Sequence, residues 1–210
     1  MIPRARAIIR QRLDWPGFSS LLARSSISPM LVLLLLLAQA ARSFAADPQT
    51  LTEYQIKAGF FFNFTRFVDW PESAFVNASS PVFVCILGET PLTDLVTDVA
   101  LGKVVNRRAV SIRRVKASDD LRQCNLLFIS AEEERHTAEI LASLKKANTL
   151  TVGETPGFAQ AGGMINFSIQ ENRVKLELNL EATTRAGLKV NSKLIAVARL
   201  VSHNSGAEAN

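Results

Sequence analysis

Two short runs of unbroken apolar residues constrain this chain most: Val82–Leu87 (VFVCIL), closed by Gly88, and Leu126–Ile129 (LLFI). A strand with one face in water alternates apolar and polar residues. A strand apolar at every position is buried on both faces, as in a parallel sheet covered by helices on either side. The segments around these runs fit that layout. Leu92–Leu101 reads as a short helix, Ala109–Val115 as a second strand, and Leu150–Val152 as a fourth, stopped by Gly153. Ser130 and Glu133 have capping-box spacing and predict a helix running to about Ala147. Thr52 and Gln55 predict another, starting near Glu53, with Ile56, Phe60, Phe64 and Phe67 at helical spacing. Phe61 and Val68 add a second apolar face, so that helix must be covered. Trp70-Pro71 ends it, because the residue before proline avoids helical geometry.

Beyond Gly163 the period changes. Ile165, Phe167 and Ile169 alternate with polar residues, as do Val174, Leu176, Leu178 and Leu180. Two period-two runs around Glu171-Asn172-Arg173 predict an antiparallel hairpin with one buried face. A last helix is expected from about Ser192 to Val201, capped by Asn191 or Ser192. The expectation is an α/β fold: a single domain with a mixed, mostly parallel sheet flanked by helices and carrying a C-terminal antiparallel hairpin.

The first 45 residues differ in character. Arginines precede the apolar run Met30–Ala38, and Ser43 and Ala45 occupy the small positions of a cleavage site before Ala46. This is the layout of a secretory signal peptide, and the apolar run is too short for a comfortable membrane span. The expected organisation is a signal peptide over 1–45 and an exported domain over 46–210. The formal charge of +5 belongs mostly to the leader, because from Ala46 onward 18 basic residues meet 18 acidic ones. No nucleic-acid partner is expected from such a balance, and no aromatic residues interleave with the one basic cluster, Arg107, Arg108, Arg113, Arg114 and Lys116. In an oxidising compartment Cys85 and Cys124 can pair; the alternative is two buried free thiols beside apolar strands.

Catalytic signals are weak. Gly157, Gly162 and Gly163 match neither a dinucleotide fingerprint nor a phosphate loop. His136 and His203 have no neighbouring pattern of metal ligands or triad partners, and the adjacent acids Asp119–Asp120 and Glu132–Glu134 point in different directions. No cofactor, metal or enzymatic activity is expected. One echo stands out: Gly-Glu-Thr-Pro follows the first strand (88–91) and the fourth (153–156). Such turns at the carboxyl ends of strands can frame a ligand pocket, or can be ordinary turn chemistry.

The segment Glu53-Tyr54-Gln55-Ile56-Lys57-Ala58-Gly59-Phe60, continuing through Asn63-Phe64-Thr65-Arg66-Phe67-Val68-Asp69-Trp70-Pro71, resembles the YfiR family of bacterial periplasmic proteins. Similar stretches are Cys85–Gly88, Cys124–Ser130, Gly162–Phe167 and Asn179–Leu200, with Arg185-Ala186-Gly187-Leu188-Lys189 within the last. The resemblance implies a non-catalytic periplasmic regulator. It would restrain a membrane-bound diguanylate cyclase through that enzyme's periplasmic domain, lower cyclic-di-GMP and biofilm formation, form a homodimer and be relieved by an outer-membrane lipoprotein. Some relatives carry a second cysteine pair before the hairpin, where this chain has Ala159, Ala161 and Asn166. Arg66, Trp70, Arg185, Lys189 and Asn191 are the candidates for a small-molecule site, the cations holding an anionic group and the indole stacking on a ring. In the other reading Trp70 anchors the core and Arg185 is a helix-end charge. The alternative function is a periplasmic nucleotide- or amino-acid-sensing module for another membrane receptor.

Overall fold

The two apolar runs form adjacent central strands. The structure is a computed structural model that describes residues 48–202, all within the unit Ala46–Asn210. The signal-peptide reading of 1–45, and His203, lie outside the described residues. Helix α1 (Pro48–Phe67) leads into β1 (Val68–Asp69), then β2 (Val82–Leu87), α2 (Leu92–Ala100), β3 (Val104–Val105) and β4 (Arg108–Val115). Next come β5 (Leu126–Ile129), α3 (Thr137–Ser143), β6 (Leu150–Gly153) and the hairpin β7 (Ile165–Gln170) and β8 (Arg173–Leu178). The chain closes with α4 (Leu180–Arg185), β9 (Lys189–Val190), α5 (Ser192–Val197) and β10 (Ala198–Leu200).

Eight strands form one mixed sheet in the order β10-β8-β7-β6-β5-β2-β4-β3, and β1 pairs with β9 in a separate ribbon. The pairs from β4 through β7 are parallel, β7–β8 and β3–β4 are antiparallel, and β10 runs parallel to β8. The expected mixed, mostly parallel sheet with its antiparallel hairpin is therefore present.

Burial on both faces follows strand parity. Val84, Ile86, Leu126 and Phe128 join Phe61 and Phe64 of α1 in one core, with Phe167, Leu176 and Leu178 of the hairpin. Their neighbours Cys85, Leu87, Leu127 and Ile129 point the other way, into a second cluster with Ile140 of α3, Leu144 and Phe158. Phe61 meets Phe128 edge-on at 5.6 Å, and Phe64 stacks on Phe167 at 5.9 Å. Phe158 sits against Gly153 and Gly163, where any Cβ would run into its ring. Gly163 thus supplies space for that ring.

Several boundaries differ from expectation. Helix α1 begins at Pro48, not near Glu53; proline suits the first helical position because its missing N–H would lack a partner there. Ser130 makes no cap: its Oγ is turned inward onto Gly88, so Ala131–His136 winds as a 3₁₀ turn and only Thr137–Ser143 is α-helical. The final helix stops at Val197, because Ala198–Leu200 leaves it to line the edge of β8. There Arg199 forms an ion pair with Glu177, whose side chain is buried. Asn191, not Ser192, caps α5, accepting from the Lys193 amide at 2.9 Å.

The β7–β8 turn places Glu171 and Asn172 at φ of 50° and 56°. That is a two-residue hairpin turn with both central residues in the left-handed region, which Asn-Gly adopts at little cost. Glu171→Asn with Asn172→Gly is expected to stabilise the domain by about 0.5–1 kcal/mol, read as a higher urea midpoint at unchanged slope.

Candidate functional site

The opening motif finds its partner across the chain. Lys57, on the sheet-facing side of α1, is buried, and its Nζ lies 2.7 Å from Glu154 Oε2 and 2.5 Å from Glu53. Tyr54 Oη donates to Glu154 Oε1 at 3.2 Å, and the Lys57 ammonium sits 4.5 Å from the Tyr54 ring centre. Glu154 also accepts from the Ala131 amide at 3.4 Å. One carboxylate thereby ties α1, the β6 turn and the β5 turn together. Tyr54 and Lys57 lie in the opening motif and Glu154 in the second Gly-Glu-Thr-Pro turn, and no local sequence pattern connects the two. A buried lysine requires a buried acid, and that requirement is the signal that would have linked them.

Burial pushes the Tyr54 hydroxyl up, and the Glu154 charge adds to it. Burial alone would lower the Lys57 ammonium, but Glu154 and Glu53 outweigh it, and its pKa is raised. Both groups hold their protons more tightly folded than unfolded. Their contribution is complete below about pH 10 and is lost as pH rises through the folded values. Stability is expected to hold between about pH 7 and 9 and to fall above about pH 10.5, less steeply in Tyr54→Phe/Lys57→Met. Urea midpoints across that range check it; equal slopes in the two proteins would contradict it.

The carboxyl ends of the central strands are where ligands bind in open α/β sheets, at the point where chain order reverses. Here that point lies between β2 and β5, since β4 flanks β2 on one side and β5 on the other. The chain's own acids occupy it. Glu132 Oε2 accepts from the Glu89 amide at 3.2 Å, and Glu154 takes the Ala131 amide. Two of the backbone amides at this strand end are therefore already paired. The two Gly-Glu-Thr-Pro turns are not equivalent: the Glu154 side chain is buried at 6%, while that of Glu89 is 84% exposed and 3.9 Å from Arg114.

Cys85 and Cys124 form a disulfide with a Cα–Cα distance of 5.8 Å, inside the second core cluster. It joins β2 to the residue before Asn125. That asparagine is a second junction. Its Oδ1 accepts from the Phe83 amide at 2.9 Å, its Nδ2 donates to the Ala74 carbonyl at 3.2 Å, and its own carbonyl accepts from the Trp70 indole at 3.0 Å.

The β1–β9 ribbon sets Asp69 opposite Lys189 and Val68 opposite Val190, bringing the Trp70 corner towards the segment Lys189–Asn191. The Asn191 amide donates to the Phe67 carbonyl at 2.8 Å while its side chain caps α5. Arg185 is ion-paired with Glu181 one turn earlier in α4. Arg66 and Lys189 are exposed and have no ion pair among the described residues. Trp70 is half-buried against the first core and lines a groove of about 160 Å³. The other candidates do not line that groove.

A larger, open cleft of about 410 Å³ lies on the opposite side of the sheet, between the Ala117–Arg122 loop and α3. Its floor of Leu121, Ile140 and Leu144 belongs to the disulfide cluster. His136 stands at its edge with Nδ1 2.9 Å from Glu133, an exposed local pair.

A family model described as YfiR/HmsC-like matches residues 54–199. Among solved structures, a conserved domain protein from Vibrio cholerae O1 biovar El Tor is similar at 10% identity and a TM-score of 0.45. That match covers 57% of this chain and 54% of the other, so this chain spans about half the length of the protein it matches.

Proposed function

This chain belongs to the YfiR/HmsC-like family, and from that premise we propose that it is a periplasmic repressor that binds the periplasmic domain of an inner-membrane diguanylate cyclase. The match over residues 54–199 carries the reading, since the family is regulatory, periplasmic and acts on a diguanylate cyclase. Repression needs no catalytic group. A protein that prefers the cyclase's inactive arrangement shifts the equilibrium by that difference in affinity. Cyclic-di-GMP and biofilm formation then fall. Residues 1–45 would export the domain 46–210, a homodimer would engage the cyclase, and an outer-membrane lipoprotein would relieve the block. A ligand that biases this preference would be held by Arg66, Trp70, Arg185, Lys189 and Asn191, of which Arg66 and Lys189 offer exposed charges with no ion pair among the described residues.

The test is cellular cyclic-di-GMP in a strain lacking the gene, complemented either with the full chain or with residues 46–210 retained in the cytoplasm. Deletion is expected to raise the level and only the full chain to restore it. An unchanged level on deletion, or equal rescue by the cytoplasmic form, would overturn the reading.

A further inference from the structure

The groove beside Trp70 lies at the amino ends of the parallel strands, away from the Lys57–Glu154 junction. Buried Val82 and Val105 form its apolar base, and half-buried Trp70 and Phe75 its walls. Two carboxylates, Asp69 and Glu72, stand exposed at its rim. Neither has a hydrogen-bond or ion-pair partner among the described residues. Asp69 faces Lys189 across the β1–β9 ribbon without an ion pair between them.

The groove also contains a cation whose charge is already engaged. The Arg108 guanidinium lies 3.8 Å from the Phe75 ring centre, and its Nη1 donates to the carbonyls of Asn77 at 2.9 Å and Ser80 at 2.7 Å. Asp69, Glu72 and Arg108 together leave the lining with a net charge of about −1, and no cation stacks on the Trp70 ring among the described residues. The surroundings suit a protein more than a free amine. Val76 and Val104, chain neighbours of the lining residues Phe75 and Val105, are 96% and 64% exposed. A small slot with an apolar base, exposed apolar residues around it and charge at its edge is the arrangement of a protein–protein anchor point.

We propose that this groove receives an arginine side chain of a partner protein, its guanidinium stacked on Trp70 as Arg108 stacks on Phe75 and forked onto Asp69 and Glu72. Arginine suits it better than lysine because a planar fork can both stack and meet two carboxylates. The proposal rests on the reading of the chain as a protein that acts by holding a partner, and it names a contact through which that hold is made.

The test reads Trp70 directly. The sequence has two tryptophans, Trp15 and Trp70, so the full chain with Trp15→Phe leaves Trp70 as the single reporter. Titration with acetyl-Gly-Arg-Gly-amide is expected to change its fluorescence saturably, with Kd on the order of 1–10 mM for one anchored side chain. The citrulline analogue, which has the same shape without charge, is expected to bind at least about tenfold more weakly, as is the arginine peptide to Asp69→Asn/Glu72→Gln. Neither substitution removes a folding contact, and far-UV circular dichroism checks that the variant is intact. Equal binding of arginine and citrulline peptides, unchanged binding to the variant, or no saturable response would each overturn the proposal. A separate titration with the purified periplasmic domain of the cyclase keeps the two readings apart. No binding there counts against the repressor function, while the peptide result alone decides the groove.

Discussion

Glu154→Ala is expected to cost about 3–5 kcal/mol of folding stability, because it leaves the buried Lys57 ammonium with only the partly exposed Glu53 as counter-charge. The same change removes the acceptors of the Tyr54 hydroxyl and the Ala131 amide. Such a loss is a large fraction of the stability of a domain this size. The control is Glu154→Leu with Lys57→Met, which removes both charges together. A buried ion pair replaced by apolar residues of similar volume is often close to neutral, so this double variant is expected to recover most of the loss. Urea denaturation of wild type, Glu154→Leu, Lys57→Met and the double closes the cycle. Additive losses would show that the two side chains do not depend on each other.

Removing the disulfide is the second large effect. Cys85→Ala with Cys124→Ala is expected to destabilise by about 3–4 kcal/mol, from freeing the closed loop in the unfolded chain and from the loss of packed sulfur. Cys85 and Cys124 are 1% and 4% exposed, between Leu87, Leu127 and Phe158. A reductant therefore has to wait for the second core cluster to open. Reduction by dithiothreitol is expected to be slow in native buffer, nearly independent of reductant concentration at saturation, and faster in step with unfolding as urea is added. A rate linear in dithiothreitol without urea would show a solvent-reachable bond.

The central architecture was legible because it rests on local patterns. Continuous apolarity at 82–87 and 126–129 demanded a strand buried on both faces, and the two core clusters divide those residues by parity. Period-two alternation around Glu171–Arg173 demanded the hairpin. The elements missed are those that owe their conformation to a distant partner. β1 and β9 have two residues each and exist because Val68 meets Val190. β10 leaves a helix because β8 has a free edge and Glu177 needs a cation. Ser130 carries a capping signal but packs onto Gly88 instead.

The site residues divide in the same way. Residue type marked Trp70, Arg185 and Asn191 as worth attention, but an arginine's availability depends on what lies four residues away in a helix, and Glu181 takes it. The family was legible through the resemblance of the opening motif to its known members, since a pattern of residue types along the chain is a property of sequence alone. What the tertiary structure alone decided is which charges stay free. Lys57 and Glu154 are 97 residues apart and neutralise each other in the interior, while Asp69 and Glu72 stand at the rim of an aromatic groove with no ion-pair partner among the described residues. Charge is local to a side chain, but its cost or use depends on what the fold brings within a few ångströms of it.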